Sequence, residues 1–341
     1  MNKIEQSWYQ GPWFKHWRNW LMLPLCGLFW LLSGLRRKLY KLRLLKSYKA
    51  KAPVIVVGNI SVGGNGKTPF VVWLVEYLRE HNIKAAVISR GYGGHSDTYP
   101  IPVDSSFNTT VFGDEPVLIA KRCECPVVVG PDRVKSCEYI DEHYDVDVII
   151  CDDGMQHYKL NRDIEIAIVD AQRQFGNGWL MPIGPLREQV KRLETVDYVV
   201  YNGIIENHEF MPNASFDLGF DLALNLSTNA PFEYTILSAK VHGICAIGNG
   251  ARFEQTLIDY LHPYELSLET FNALTDHHKF EPRDFDEYGN DYVIMTEKDA
   301  VKCFEFAKPH WHYLPVNARL PEDFADKLLT DIKSLLTEEN S

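Results

Sequence analysis

Cysteine is scarce in this chain. The 341 residues include seven cysteines, an odd number, and only Cys123 and Cys125 lie close together. A disulfide framework needs paired cysteines at regular spacings, and a zinc ribbon needs a second C-x-x-C pair. The sequence has neither, which argues against both classes and is typical of a protein of the reducing cytosol.

Basic charge is lacking over most of the chain. The net charge is −11, and outside residues 1–52 there are 24 Lys and Arg side chains against 45 Asp and Glu. An acidic body repels the phosphate backbone, so the composition argues against a nucleic-acid partner. Residues 1–52 are the opposite, with eleven basic side chains and one acid, Glu5.

The N-terminal segment has no apolar run of ordinary transmembrane length. Residues 20–35 are sixteen uncharged residues, whereas a spanning helix needs about 20. No small-residue cleavage site follows, which argues against a signal peptide. Residues 36–51 mix eight Lys and Arg with leucines. This pattern predicts a helix that spans or dips into an anionic membrane surface, with the body in the cytoplasm. A core helix with a solvated basic face is the alternative.

A glycine-rich loop follows in a strand–loop–helix context. Residues 53–57 are apolar and β-branched, residues 61–68 read SVGGNGKT, and a helical pattern covers residues 69–80. This order predicts a phosphate loop, because small residues let backbone N–H groups converge on phosphate oxygens at a helix N-terminus. Lys67 would reach the β- and γ-phosphates, and Thr68 would hold Mg²⁺. The predicted nucleotide-binding residues are Ser61, Val62, Gly63, Gly64, Asn65, Gly66, Lys67 and Thr68.

Further apolar strands alternate with helical segments. They lie near residues 84–89, 126–129, 146–151 and 164–169. Such alternation predicts a parallel sheet covered on both faces, with ligands at the carboxyl ends of its strands. Asp152 and Asp153 end one strand and are predicted to lie beside the metal, as in a Walker B motif. A turn or helix cap is the alternative for this pair.

Two other segments, GDEP (113–116) and DHH (276–278), carry acid–base candidates. Asp114 and Glu115 precede a helical run, so they either cap that helix or supply a carboxylate that accepts a substrate proton. A carboxylate beside a histidine such as His277 is a common way to tune an acid–base group, and a surface turn is the alternative.

The second half of the chain is less regular. Residues 171–190 predict a long ordered loop of the kind that is often functional, and residues 216–241 alternate as in an antiparallel ribbon. Residues 296–299 (TEKD) differ from the guanine-reading N/T-K-x-D motif because Lys298 directly precedes the aspartate. The predicted units are a membrane-associated segment 1–52, a P-loop kinase domain 53–215, and a smaller α/β domain 216–341 entered by the ribbon.

Taken together, these segments resemble one family, the tetraacyldisaccharide 4′-kinases of lipid A biosynthesis. The matching segments, in order, are GNISVGGNGKTP (58–69), SRGYGG (89–94), GDEP (113–116), GPDR (130–133), DDGMQHYKLNRD (152–163), GNG…PIGPLRE (176–188), AIGN with ARF (246–253), DHHKF (276–280) and TEKDAVKC (296–303). Nine segments in the same order, spread over nearly the whole chain, make the resemblance specific.

The resemblance implies a kinase that moves the γ-phosphate of MgATP to the 4′-hydroxyl of tetraacyldisaccharide 1-phosphate, forming lipid IVA. It implies an α/β fold: a P-loop NTPase-like parallel sheet domain, a second, smaller α/β domain closing the site, and an N-terminal helix on the cytoplasmic face of the inner membrane. Lys67 would hold the transferring phosphate, Asp114 would be the catalytic base and His277 its orienting partner. The metal and phosphate environment would come from Thr68, Glu115, Asp152 and Asp153, of which Asp153 counts among the catalytic residues and the other three as metal ligands.

The rival interpretation is a membrane-docked ATPase switch of the partitioning type. Such proteins carry an extra lysine early in the phosphate loop, where this chain has Val62, and their membrane helix usually lies at the other terminus. No obligate protein partner is evident in the sequence.

Overall fold

The computed structural model describes residues 7–9, 13–204, 209–232, 240–276 and 278–339. The helices are α1 (Trp17–Lys41), α2 (Lys67–Glu80), α3 (Thr109–Phe112), α4 (Asp114–Cys123), α5 (Arg133–His143), α6 (Gly250–Leu261), α7 (Glu297–Ala300) and α8 (Glu322–Glu339). Short 3-10 helices lie at Trp13–Lys15, Val190–Thr195, His262–Tyr264, Pro282–Tyr288 and Phe304–Phe306.

The strands form two sheets. In chain order they are β1 (Val54–Gly58), β2 (Ala85–Ser89), β3 (Ile101–Pro102), β4 (Val127–Val129), β5 (Val148–Asp152), β6 (Ile164–Asp170), β7 (Tyr198–Asn202), β8 (Ala214–Phe220), β9 (Leu224–Asn225), β10 (Val241–Cys245), β11 (Leu268–Ala273), β12 (Tyr292–Thr296), β13 (Trp311–Leu314) and β14 (Val316–Arg319).

The larger sheet has nine strands in the order β14-β8-β7-β6-β1-β5-β2-β4-β3. Its neighbours are parallel except at the two edges, where β3 pairs with β4 and β14 with β8 in the antiparallel sense. The smaller sheet has the order β11-β10-β12-β13-β9 and is parallel except for β9. The predicted α/β class with a large, mainly parallel P-loop-type sheet and a second, smaller one is confirmed.

The larger sheet is covered on both faces because its central strands are apolar at every position. In β1, Ile55 and Val57 face one core and Val54 and Val56 face the other, since successive side chains point to opposite sides. The first core contains side chains of α2, α4 and α8, and the second contains side chains of α5 and of Cys26 in α1. The carboxyl ends of the strands thus remain the open edge for ligands.

The chain crosses between the sheets more than once. Within the range predicted as an antiparallel ribbon, β8 pairs antiparallel with β14 in the larger sheet, and β9 pairs antiparallel with β13 in the smaller one. Residues 233–239 lie outside the described residues. At the end of the chain, β14 and α8 rejoin the larger sheet. The division at residues 215 and 216 stays a prediction.

Helix α1 lies against the larger domain by one side only. Cys26 is buried, and Met22 and Phe29 pack on the same core. The opposite side is apolar and exposed, with Trp20, Leu21, Leu25, Leu28, Leu31, Leu32 and Leu35 each more than half exposed to solvent. Searching the described part of the chain, we find no helix with the length and apolar character needed to cross a membrane.

Candidate active site

The loop between β1 and α2, predicted to bind phosphate, is held by its neighbours. Gly66 lies at φ +84°, and a Cβ there would come within 2.3 Å of the side-chain nitrogen of Asn202, so the position requires glycine. The same nitrogen donates to the Asn65 carbonyl at 3.3 Å, and Asn65 Nδ2 donates to Ser61 Oγ at 2.8 Å. The loop is therefore tied both to itself and to the end of β7.

A second support comes from residues 176–188. The Val62 N–H donates to the Pro185 carbonyl at 2.8 Å, and the Arg187 N–H donates to the Ile60 carbonyl at 2.7 Å. These backbone bonds join the glycine- and proline-rich segment to the phosphate loop almost as a neighbouring strand would. The Arg187 side chain extends to Asp153.

Lys67, Asp153 and Arg187 form an ion cluster at the start of α2. Lys67 Nζ lies 3.5 Å from Asp153 Oδ1, and Arg187 Nη1 lies 3.1 Å from Asp153 Oδ2. Burial by itself would raise the pKa of Asp153, but Lys67 and Arg187 outweigh it and lower that pKa to about 2. Asp153 is thus ionised at neutral pH and positions both cations.

Asp152 has a different environment, although it is the preceding residue. It ends β5, is 1% exposed, and accepts a hydrogen bond from Ser89 Oγ at 3.2 Å on Oδ2. Its Oδ1 is buried, and the described residues offer it no hydrogen-bond partner. Burial and the nearby Glu115 carboxylate raise the pKa of Asp152. A buried carboxylate oxygen in this state suits a hard cation.

Asp114 and Glu115 lie side by side in the first turn of α4. Asp114 is 6% exposed, and its Oδ1 accepts the Glu115 N–H at 3.0 Å. Lys298 reaches across from α7, with its Nζ 2.9 Å from Glu115 Oε1 and 3.8 Å from Asp114 Oδ2. Burial would lower the pKa of Lys298, but the two carboxylates outweigh it and raise that pKa.

The structure brings most of the predicted site residues into one region. Lys67 contacts Asp153, and Asp152 interacts electrostatically with Lys67, Asp153 and Glu115. Thr68 is the second residue of α2.

His277 lies outside the described residues. Its neighbour His278 points to Asp284, with Nε2 2.9 Å from Oδ2. No group of three His, Cys, Asp or Glu side chains that could hold a metal occurs in the described part of the chain. The predicted metal set is of another kind, two carboxylates and one hydroxyl.

Sequence reasoning missed three side chains of this region: Arg187, Asn202 and Lys298. Arg187 lies in the PIGPLRE part of a loop that the composition marked as functional, but the sequence assigned it no role. Lys298 lies in the TEKD segment, which belongs to the family resemblance, but sequence reasoning assigned this lysine no role. Asn202 gives no sequence signal, because its role depends on β7 lying beside the phosphate loop.

Comparison with known proteins gives consistent results. The model of the family described as LpxK, tetraacyldisaccharide-1-P 4′-kinase, matches residues 18–333. A tetraacyldisaccharide 4′-kinase of Pseudoalteromonas translucida is 47% identical over 98% of each chain. That of Psychromonas ingrahamii is also 47% identical, over 93% of this chain and 96% of its own.

A solved structure has a similar fold. It is that of the "apo" form of LpxK from Aquifex aeolicus in complex with ATP, which is 28% identical to this chain. The superposition has a TM-score of 0.77 and covers 93% of this chain and 99% of the other.

Proposed function

This chain belongs to the tetraacyldisaccharide-1-P 4′-kinase family, and from that premise we propose how its residues divide the reaction. The enzyme transfers the γ-phosphate of ATP to the 4′-hydroxyl of tetraacyldisaccharide 1-phosphate, forming lipid IVA in lipid A biosynthesis. Family membership decides against the partitioning-type ATPase switch.

One observation carries the division of roles. Asp152 interacts electrostatically with Lys67 of the phosphate loop and with Glu115 of the GDEP turn. The strand end of β5 is therefore within electrostatic range of both the loop that would hold ATP and the helix that carries Asp114. In phosphoryl transfer, catalysis consists largely of positioning and charge stabilisation, so donor and acceptor groups must meet at such a point.

On the ATP side, the backbone N–H groups of residues 61–68 would bind the phosphates, and Lys67 would neutralise charge on the transferring group. Asp153 holds Lys67 in place, with its Oδ1 3.5 Å from Lys67 Nζ. Arg187, paired with Asp153, adds a second cation at the same edge. Both cations favour the charge that develops on the phosphoryl oxygens during transfer.

Thr68, Glu115 and Asp152 would hold Mg²⁺. The unpartnered, buried Oδ1 of Asp152 and the adjacent charge of Glu115 fit a hard cation with oxygen ligands. When bound, the ion neutralises phosphate charge. Ser89 fixes the orientation of Asp152 by its hydrogen bond to Oδ2.

Asp114 would accept the proton of the 4′-hydroxyl. It lies in a rigid first turn, is nearly buried, and receives the Glu115 N–H. His277, the second residue of the DHHKF segment, would orient it, as the family resemblance implies. A carboxylate oriented by a second group is an efficient general base.

A lipid substrate with acyl chains lies in a membrane, and α1 would bind the enzyme to the membrane surface. Its outward side is apolar, and basic residues 36–51 continue from it. Lys and Arg at an anionic leaflet contribute about 1 kcal/mol each. We place the enzyme on the cytoplasmic face of the inner membrane, where α1 would lie in the interface.

Replacement of Lys67 tests the ATP side. Lys67→Met is expected to lower kcat by at least about 100-fold while the circular dichroism spectrum stays that of the wild type, because only a charge at the phosphates is lost. Lys84→Met is the matched control: Lys84 pairs with Asp145 at the surface and its side chain is 65% exposed. Wild-type turnover in Lys67→Met would remove the phosphate loop from the mechanism.

Replacement of Asp114 tests the acceptor side. Asp114→Asn is expected to lower kcat by at least about 100-fold with little change in ATP affinity. His277→Ala should be milder, and the double variant little worse than Asp114→Asn, because residues that act as a unit lose their effect together. If Asp114 only caps α4, the variant would lose about 1 kcal/mol of stability and keep normal kinetics.

A further inference from the structure

We propose that Lys298 is a positioning residue of the phosphoryl-transfer site, which fixes the carboxylates of Asp114 and Glu115 from the second domain. The inference rests on the proposed function, since it assigns a third residue to the same acidic turn. It gives the TEKD segment a role in the reaction and not only in the fold.

The geometry places the Lys298 ammonium against both acids. Its Nζ lies 2.9 Å from Glu115 Oε1 and 3.8 Å from Asp114 Oδ2. The Lys298 side chain is 22% exposed and that of Asp114 is 7% exposed. Ion pairs shielded to this degree from water are screened less by salt than surface pairs are. One cation therefore sets the relative position of two carboxylates that the reaction would use for different tasks.

The lysine itself is held rigidly. Thr296 caps the short helix α7, and its Oγ1 donates to Asp299 Oδ2 at 2.6 Å. Asp299 is fully buried, accepts the Ala246 N–H at 2.9 Å and pairs with Lys302 at 2.8 Å. A side chain that leaves such a fixed turn can position its partners closely.

Other contacts lie beside Lys298 between the larger sheet and the residues around the smaller one. Beside it, Glu297 pairs with Arg122 at 2.8 Å, and the same Arg122 nitrogen donates to the Val316 carbonyl at 3.0 Å. Lys121 also crosses to the second domain, with its Nζ 3.0 Å from the centre of the Phe304 ring. Among these contacts, Lys298 is the one directed at the acidic turn.

The test compares Lys298→Met, Lys298→Arg and Lys121→Met in the full-length chain. Lys121→Met is the matched control, because it removes a lysine from the same interface without touching either carboxylate. We would measure kcat for transfer to the lipid acceptor, KM for ATP, and the melting temperature. For Lys298→Met, kcat is expected to fall about 10- to 100-fold with the KM for ATP nearly unchanged, the usual effect of losing an outer positioning partner.

Lys298→Arg keeps the charge but displaces it, so its kcat should lie between those of the wild type and Lys298→Met. Lys121→Met should keep wild-type kcat even if it melts at a lower temperature. The inference is overturned if Lys298→Met retains wild-type kcat, or if kcat in all three variants follows only the melting temperature.

If Lys298→Met does not fold, Lys298→Arg decides alone. A lower kcat at the wild-type melting temperature supports the inference, and a wild-type kcat overturns it. The wild-type chain separates this inference from the proposed function. If the wild-type chain transfers no phosphate to the acceptor, the proposed function is wrong; if it does and only the Lys298 variants behave differently from expectation, the inference alone is wrong.

Discussion

Asp152 and Asp153 are consecutive residues with opposite electrostatic environments. Burial and Glu115 raise the pKa of Asp152, whereas Lys67 and Arg187 overcome burial at Asp153 and lower its pKa to about 2. Pairs of carboxylates separated in this way commonly carry different roles in an enzyme. In the proposed division of roles, Asp153 holds Lys67 and Arg187, and Asp152 would hold the metal.

A histidine far from the site makes stability depend on pH. His312 lies in β13 against the Phe232 ring, and burial lowers its pKa to about 4, from about 6.5 in an unfolded chain. As the pH falls from about 6.5 toward 4, the unfolded chain binds a proton that the folded chain excludes, so stability decreases. His312→Gln should therefore show a shallower fall in melting temperature over this range.

Thermal unfolding of both proteins across that pH range checks the prediction. The comparison concerns the slopes, since the substitution also changes packing at neutral pH. Parallel slopes for His312→Gln and the wild type would show that His312 does not contribute.

At the residue scale, local spacing made part of the site predictable. The phosphate loop and the pair Asp152 and Asp153 could be located because each depends on a strand and the few residues after it. Lys298 could not be located, because its partner Glu115 is 183 positions away in the sequence. Contacts of that kind depend on how the two sheets meet.

At the scale of elements, residues 171–190 contact both the N-terminal arm (the described residues up to 52) and the phosphate loop. On the arm side, the Trp13 and Trp179 rings lie 4.6 Å apart, and Cys26 Sγ donates to the Leu180 carbonyl at 3.4 Å. On the other side, the segment bonds to residues 60–62 of the phosphate loop. A change in how residues 171–190 pack on the N-terminal arm should therefore shift the phosphate loop.

Trp179→Ala should lower kcat by about tenfold, because small displacements of positioning groups are costly in phosphoryl transfer. ATP binding should change less, since the backbone of the phosphate loop keeps its bonds to Asn202. Trp179→Phe is the matched control and should retain most activity, because an aromatic ring remains to pack on Trp13. Steady-state kinetics with the lipid acceptor provides the measurement, and wild-type kcat in Trp179→Ala would exclude this role of the loop.

Sequence patterns predicted where the strands and helices lie better than they predicted which sheet each one joins. The prediction assigned all of residues 216–341 to the smaller domain, yet β14 pairs with β8 and α8 packs on the larger sheet. A hydrophobic pattern specifies which face of an element is buried but not which sheet it joins. The same limit applies to β9, which pairs with β13.

At the scale of the whole molecule, the basic charge and the exposed apolar side of α1 lie together in the N-terminal part of the chain, apart from the acidic body. The acidic body carries the catalytic region, and the basic arm continues from the exposed apolar side of α1. An exposed apolar patch flanked by basic residues is typical of a membrane-binding surface. The substrate's acyl chains give a reason for this arrangement.

Replacing Leu28, Leu31 and Leu32 by serine should abolish binding to anionic vesicles. These three side chains are all more than half exposed, so the fold and ATP affinity should change little. Raising the salt concentration should weaken binding of the wild-type chain, because the attraction to lipid headgroups is screened over about 10 Å at 0.1 M salt. Vesicle sedimentation measures both effects, and unchanged binding of the triple variant would show that α1 is not the contact.

The most direct test of the proposed chemistry is the position of the transferred phosphate. The purified full-length chain in detergent, with Mg²⁺ and ATP labelled in the γ-phosphate, would be given tetraacyldisaccharide 1-phosphate or the same lipid with its 4′-hydroxyl blocked. We expect label only in the lipid with a free 4′-hydroxyl, and none with Lys67→Met or Asp114→Asn. Equal labelling of the blocked lipid, or ATP consumption without labelled lipid, would contradict the assignment.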